Sequence, residues 1–222
     1  MENDTARARA LDETRTRILD VALDVLGANP DAGMADIAAA AGVVRRTVYG
    51  HFPNRAELVH TLAQRAVDEV AGVLAEVDQG AGAADTAWVD FIARLWPLAA
   101  RYRVLVALRR GEFGADIHAL LAPVDRSLAA LVQRGQDAGV FARHLPPDVL
   151  SQIAYGVVFT VADTALAAGG RGAGGSDGAG AEAGADTAAG GARADLAAAT
   201  TASLLVLGVP ESRARELLGG RS

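Results

Sequence analysis

Six side chains between residues 45 and 55 have the chemistry to hold a nucleic acid: Arg45, Arg46, Thr47, Tyr49, His51 and Arg55. A guanidinium can fork onto a guanine edge or a phosphate, and hydroxyl and imidazole groups can donate to phosphate oxygens. Five of the six lie on the outward positions of one short helical stretch whose inward residue is Val48. Charge marks the same place. From Ile37 through Ala56 there is no acid, whereas Arg45, Arg46 and Arg55 are all cationic. Yet residues 1–60 carry seven arginines against nine acids, a net of −2. A local acid-free window in an acidic stretch fits contact with DNA; the other reading is a solvated basic face on an ordinary helical hairpin.

Other chemistries find little support. The chain has no cysteine, which excludes a disulfide framework, a thiolate metal site and a cysteine nucleophile. His51, His60, His118 and His144 are scattered without metal-ligand spacing. There is no Gly-x-Ser-x-Gly elbow, phosphate loop or evident carboxylate pair. Gly170-x-Gly172-x-x-Gly175 formally matches a dinucleotide fingerprint, but no strand precedes it and glycine is dense there. No catalytic residue, cofactor or metal is expected, and the chain reads as a non-enzyme.

The elements that must position the six side chains are helices. Ile18, Ala22, Val25 and Leu26 recur at helical spacing until Gly27 and Asn29-Pro30. A short helix is expected from Met34 to Ala41, broken at Gly42, and a second from Arg45 to His51, ended by Phe52-Pro53. With Ile37, Ala38, Ala41, Val43 and Val48 facing inward, the pair has helix-turn-helix spacing. Asn54, three residues before Glu57, caps a long helix with the stripe Leu58, Leu62, Ala66, Val70 and Leu74. A turn at Gln79–Ala84 follows, and then helices over Thr86–Ala100, Tyr102–Arg110, Ile117–Asp137, Pro147–Ala168 and Ala194–Gly208, with a short tail after Pro210. The fold class is all-α.

Composition agrees. Of 222 residues 51% are hydrophobic and 5% aromatic, but 50 are alanine, a helix former. All 21 basic residues are arginine, and the net charge is −6. Between Gly169 and Gly191, 17 of 23 residues are Gly or Ala, so a flexible loop is expected at 169–191. Residues 1–17 carry both charge signs and lack the apolar core of a signal peptide. Val149–Ala168, the most apolar stretch, contains Ser151, Gln152, Thr160, Asp163 and Thr164, which suits a bundle helix better than a membrane span. The cytoplasm is the expected compartment, with no membrane partner.

Ile37-Ala38, Ala41-Gly42-Val43, Thr47-Val48-Tyr49, His51-Phe52-Pro53-Asn54-Arg55 and Glu57-Leu58 resemble the DNA-binding domain of the tetracycline-repressor (TetR) family. The close match covers residues 14–60. The resemblance implies a three-helix DNA-binding domain at 1–60 and a helical regulatory and dimerisation domain at 61–222. It further implies a homodimeric repressor released from a near-palindromic operator by a small-molecule ligand. The alternative is a constitutive helix-turn-helix protein whose C-terminal half only mediates assembly. Thr47, Tyr49 and His51 align with family positions that face phosphates and base edges. Tyr49 could instead pack its ring, and His51 could cap a helix end. Arg55 stands where the family usually has a lysine that engages a phosphate at a helix start.

Several residues depart from the family pattern. Val44 replaces a Ser or Thr cap, Arg46 a small residue and Gly50 a bulky one. Gly33 and Ala35 leave the first helix of the motif without a hydroxyl cap or a polar reader. Base discrimination is therefore expected to lean on Arg45 and Arg46, with guanine as partner.

In the second half, Ile153, Val157, Val161, Leu196, Leu204 and Leu207 share the last two long helices with small residues such as Ala154, Ala162, Ala199 and Ala202. Together these suit either a four-helix dimer interface or internal core. Trp88, Phe91, Trp96, Tyr102, Phe113, Tyr155 and Phe159 could line an apolar ligand cavity. Arg94, Arg101, Arg103, Arg109, Arg110 and His118 are the accompanying polar anchors, of which Arg109 and His118 are preferred.

Overall fold

The computed structural model describes residues 2–78, 82–108, 113–172 and 181–220, and among them are ten helices and no strand. In order these are α1 (Glu2–Ala28), α2 (Met34–Ala40), α3 (Arg45–His51), α4 (Arg55–Asp78), α5 (Ala84–Arg101), α6 (Arg103–Leu108), α7 (Gly114–Asp137), α8 (Pro147–Gly172), α9 (Ala181–Val206) and α10 (Glu211–Gly219). The fold class is all-α, as the periodicities require.

Two compact units form: residues 1–67 with 102–120, and residues 68–101 with 121–222. A single boundary after residue 60 misses the return of the chain to the first unit. There α6 packs on α1, and Tyr102, Val104, Leu105, Leu108 and Ile117 are buried. In the same unit Ile18, Leu19, Ala22, Leu23 and Leu26 form the inner stripe of α1, and α1 also packs on α2. Leu58, Val59, Leu62 and Ala63 complete that core from α4. The Asn54 cap is formed, with its Oδ1 accepting from the Glu57 N–H at 2.8 Å.

The second unit is built around α8 and α9, which pack along one another and against α5. Leu150, Ala154, Val158 and Ala162 recur every fourth residue on the buried face of α8, with Ala199 buried on α9. Small side chains there let the helix axes approach. The fully buried Trp88 of α5 donates its Nε1–H to Ser203 Oγ of α9 at 3.0 Å, and Ser203 in turn donates to Thr200 O at 2.9 Å. Gly208, at φ 81°, ends α9; a Cβ there would lie 2.4 Å from that of Ala142, so both backbone and space demand glycine. Asp85, 3% exposed, accepts from Arg213 Nε at 3.0 Å and ties the start of α5 to α10. That bond, with help from Glu216, holds the Arg213 guanidinium above its ordinary pKa.

The Gly/Ala-rich stretch differs from the expectation of a loop over 169–191. Helix α8 continues through Gly172, and α9 already starts at Ala181. Five alanines among residues 181–191 are the reason, because extending an existing helix needs no new nucleus. Residues 173–180 lie outside the described residues, as do Arg109 and Arg110 at the expected end of the sixth helix. No described helix is long and apolar enough to cross a membrane, and no described His or acid cluster could hold a metal ion.

Candidate nucleic-acid interface

Helices α2 and α3 have only seven residues each, too short to persist alone. Their stability comes from anchors and caps. Ile37 and Ala38 of α2 and Val48 of α3 are essentially inaccessible to solvent. The chain leaves α2 through a Schellman turn: Val43 N–H donates to Ala38 O at 3.0 Å and Gly42 N–H to Ala39 O at 3.1 Å. Gly42 has φ 65°, the left-handed conformation this turn requires.

The N-terminus of α2 is better held than its lack of a hydroxyl implies. Asp36 Oδ2 reaches back and accepts from the Gly33 N–H at 2.8 Å, the reciprocal half of a capping box. A glycine three residues before an acid was the available signal. The N-terminus of α3 has no such help. Val44, extended and 70% exposed, makes no side-chain cap, and only the Thr47 N–H bond to Val44 O at 2.9 Å closes the first turn. At the other end Phe52, 1% exposed, closes the helix through its N–H to Val48 O at 2.8 Å. The Arg15 guanidinium of α1 stands 5.2 Å from the Phe52 ring, a contact no short-range pattern reveals.

Burying Val48 turns Arg45, Arg46 and Tyr49 outward, all three exposed, with Thr47 and His51 half-buried beside them. The Tyr49 ring is 51% exposed rather than packed. His51 ends α3, its ring tilted against that of Phe52 at 6.4 Å between centroids. Among the described residues neither Arg45 nor Arg46 has an ion-pair partner. Two unpaired guanidinium groups, a phenol, a hydroxyl and an imidazole thus share one short helix within a sequence window that has no acids.

Arg55 is placed differently. Its Nε–H donates to Ala32 O at 3.3 Å, an Nη2–H donates to Pro30 O, and the guanidinium lies 5.3 Å from the Phe113 ring centroid. These partners, 23 and 25 residues back and 58 residues on, lie beyond the reach of helical spacing.

The expected ligand residues are divided between the units. Trp88 and Phe91 are fully buried on α5, their rings 6.0 Å apart. The Tyr155 and Phe159 rings on α8 lie 4.6 Å apart between centroids with planes tilted by 58°, both half-buried like Trp96. Tyr102, Phe113 and His118 belong to the first unit. There Tyr102 is buried, and the exposed His118 has Nδ1 3.0 Å from Gly114 O. Arg109 is outside the described residues. Of the other anchors, Arg94 pairs with Glu76, Arg101 with Glu69 at 3.7 Å, and Arg103 lies over Gly27. A shallow groove of about 340 Å³ on α7 and α8 is lined by Ala129, Ala130, Gln133, Pro147 and Asp148, none of them among the expected ligand residues.

The model of the bacterial regulatory proteins of the tetR family matches residues 18–62. The HTH-type transcriptional repressor LfrR of Mycolicibacterium smegmatis is 38% identical over 87 residues, which is 39% of this chain and 46% of that protein. The match therefore spans about half the length of that relative. The crystal structure of LfrR from Mycobacterium smegmatis with proflavine aligns at a TM-score of 0.61 and 22% identity, over 87% of this chain and 97% of that one. FadR from Bacillus subtilis, with stearoyl-CoA, aligns at 0.64 and 17% identity, over 86% and 97%. At those identities the structural likeness speaks for the fold. These relatives are transcriptional regulators rather than enzymes. The matched residues 18–62 contain the Gly42 turn, buried Val48 and the outward face of α3, so the similarity to the tetR family of bacterial regulatory proteins falls on the helix-turn-helix segment of this chain.

Proposed function

We propose that the chain is a cytoplasmic homodimeric transcriptional repressor that binds a near-palindromic operator and is released by a small-molecule ligand. The observation that carries this reading is the outward face of α3: Arg45, Arg46 and Tyr49 exposed around the buried anchor Val48, in a window without acids. Arg45 and Arg46 read base edges, and Thr47, Tyr49 and His51 take phosphates and neighbouring edges. A relative that is a repressor and structural neighbours holding proflavine and stearoyl-CoA support ligand-controlled repression.

Dimerisation uses α8 and α9. Val149 and Ile153 of α8 and Leu205 of α9 are 40–47% exposed, an apolar surface suited to a second copy. Twofold symmetry would set two copies of α3 about 34–36 Å apart, or at a multiple of that spacing, on successive major grooves.

Selection of bound sequences from random DNA at fixed salt tests the reading, followed by a screen for compounds that release the complex. Enrichment of an inverted repeat and release by a compound are the expected results. Enrichment without release by any compound favours the constitutive alternative, and absence of any motif overturns both.

A further inference from the structure

Arg55 is the first residue of α4, and its side chain is half-buried. Two stretches far apart in sequence converge on its guanidinium: the α1–α2 turn through Pro30 O and Ala32 O, and Phe113 just before α7. Both belong to the first compact unit. The turn it grips is ordered by further bonds, Ala32 N–H to Asn29 O at 3.0 Å and Asp31 N–H to Asn29 Oδ1 at 3.1 Å. Directly after it come Gly33 and the Asp36 cap that start α2. The grip on Pro30 and Ala32 therefore bears on where α2 begins, and through the Gly42 turn on where α3 stands.

The residue type matters. A planar guanidinium can present two donors to two carbonyls while its face lies against a ring; an ammonium offers a point charge with neither the fork nor the flat face. A phosphate that took the same two donors would have to displace them from the Ala32 and Pro30 carbonyls. We infer that Arg55 is a positioning residue: it ties the α1–α2 turn to α4 and to Phe113, and supports DNA binding through the placement of α2 and α3 rather than by contacting phosphate. Phe113 is outside residues 18–62, so the tie also gives a segment beyond the matched domain a hold on the DNA-binding helices. The affinity part of this inference rests on the DNA-binding reading above; the tie itself does not.

The experiment compares Arg55→Ala, Arg55→Lys, Phe113→Leu and the double variant Arg55→Ala/Phe113→Leu, all in the full chain. For a selected DNA sequence, Arg55→Ala is expected to weaken binding about tenfold with an unchanged salt slope, whereas loss of a phosphate contact lowers that slope by about one. Arg55→Lys is expected to stay within about twofold of the alanine variant, since charge alone does not rebuild the fork. Phe113→Leu is expected to weaken binding several-fold, and the double variant to lose clearly less than the product of the single losses, because the two side chains share one contact.

A readout without DNA separates the tie from the function. Amide exchange at Ala32, Asp36 and Ile37 is expected to quicken about tenfold in Arg55→Ala and Phe113→Leu, while amides in the core of α8 stay unchanged. Failure of the wild-type chain to select any sequence would overturn the proposed function, while the exchange data would still decide the tie. Unaltered exchange in both variants overturns the tie. A salt slope lowered by about one in Arg55→Ala and restored in Arg55→Lys overturns it equally, because that is the signature of a phosphate contact.

Discussion

Helices α2 and α3, seven residues each, and helices α8 and α9, 26 each, solve opposite problems. The short pair must present polar groups to the outside, so each helix is held by very few buried side chains, a glycine turn and a back-reaching Asp36. The long pair hides an alanine-rich seam, Ala154, Ala162 and Ala199, where closeness of approach stands in for bulk. Bulk arrives from α5 instead, with Trp88 hydrogen-bonded to Ser203. The difference teaches that stability and recognition draw on separate residues in this chain. Substitutions in one region should leave the other's property nearly intact.

The largest expected effect tests the stability side. Trp88→Ala removes the largest fully buried side chain and should lower the unfolding free energy by about 3–5 kcal/mol in denaturant titrations. A cost of about 1 kcal/mol or less would mean that the α5–α8–α9 core is not where stability resides. Next comes recognition. Arg45→Ala should cost about 1–3 kcal/mol on the selected sequence, relax preference at one base position and hardly change the melting temperature. Equal losses on selected and random DNA would show that Arg45 holds phosphate instead.

Gly42→Ala lies between the two regions in kind. No atom stands within 4 Å of an added Cβ, so the cost is that of φ 65° alone, about 1–2 kcal/mol. Calorimetry should find it, and a neutral result would show that the turn relaxes. The smallest effect is a gain: Val44→Ser supplies the missing cap and should stabilise α3 by about 1 kcal/mol, visible as slower amide exchange at Thr47. No change there would mean that Val44 already has a compensating role.

The limits of α3, the Gly42 turn and the Asn54 cap were legible because each rests on neighbours within a few residues. The Met34 start of α2 was legible for the same reason, although its Asp36 cap was passed over for want of a hydroxyl. What escaped was tertiary. Arg55 reads as a cation at a helix start, and only the folded chain brings Pro30, Ala32 and Phe113 to it. Residues 102–120 follow α5 in sequence yet join the first unit, because the apolar side of α1 needs a cover that the helix-turn-helix pattern does not announce. The Gly/Ala stretch misled through composition: glycine density signals a coil, but the alanines among it keep α8 and α9 going on either side.

Val44 carries a consequence for binding that has little to do with melting. Its side chain leaves the first turn of α3 without a cap, and Arg45 and Arg46 stand in that turn. An uncapped first turn is expected to open and reclose on the timescale of about nanoseconds to microseconds typical of chain-end motions. If Arg45 and Arg46 read base edges as proposed, neither guanidinium is aligned with one during an open interval. The apparent dissociation constant is the intrinsic one divided by the fraction of time the turn is closed. In the proposed reading, the grip on DNA would be metered by the occupancy of one helical turn, set by a valine that need touch no DNA itself.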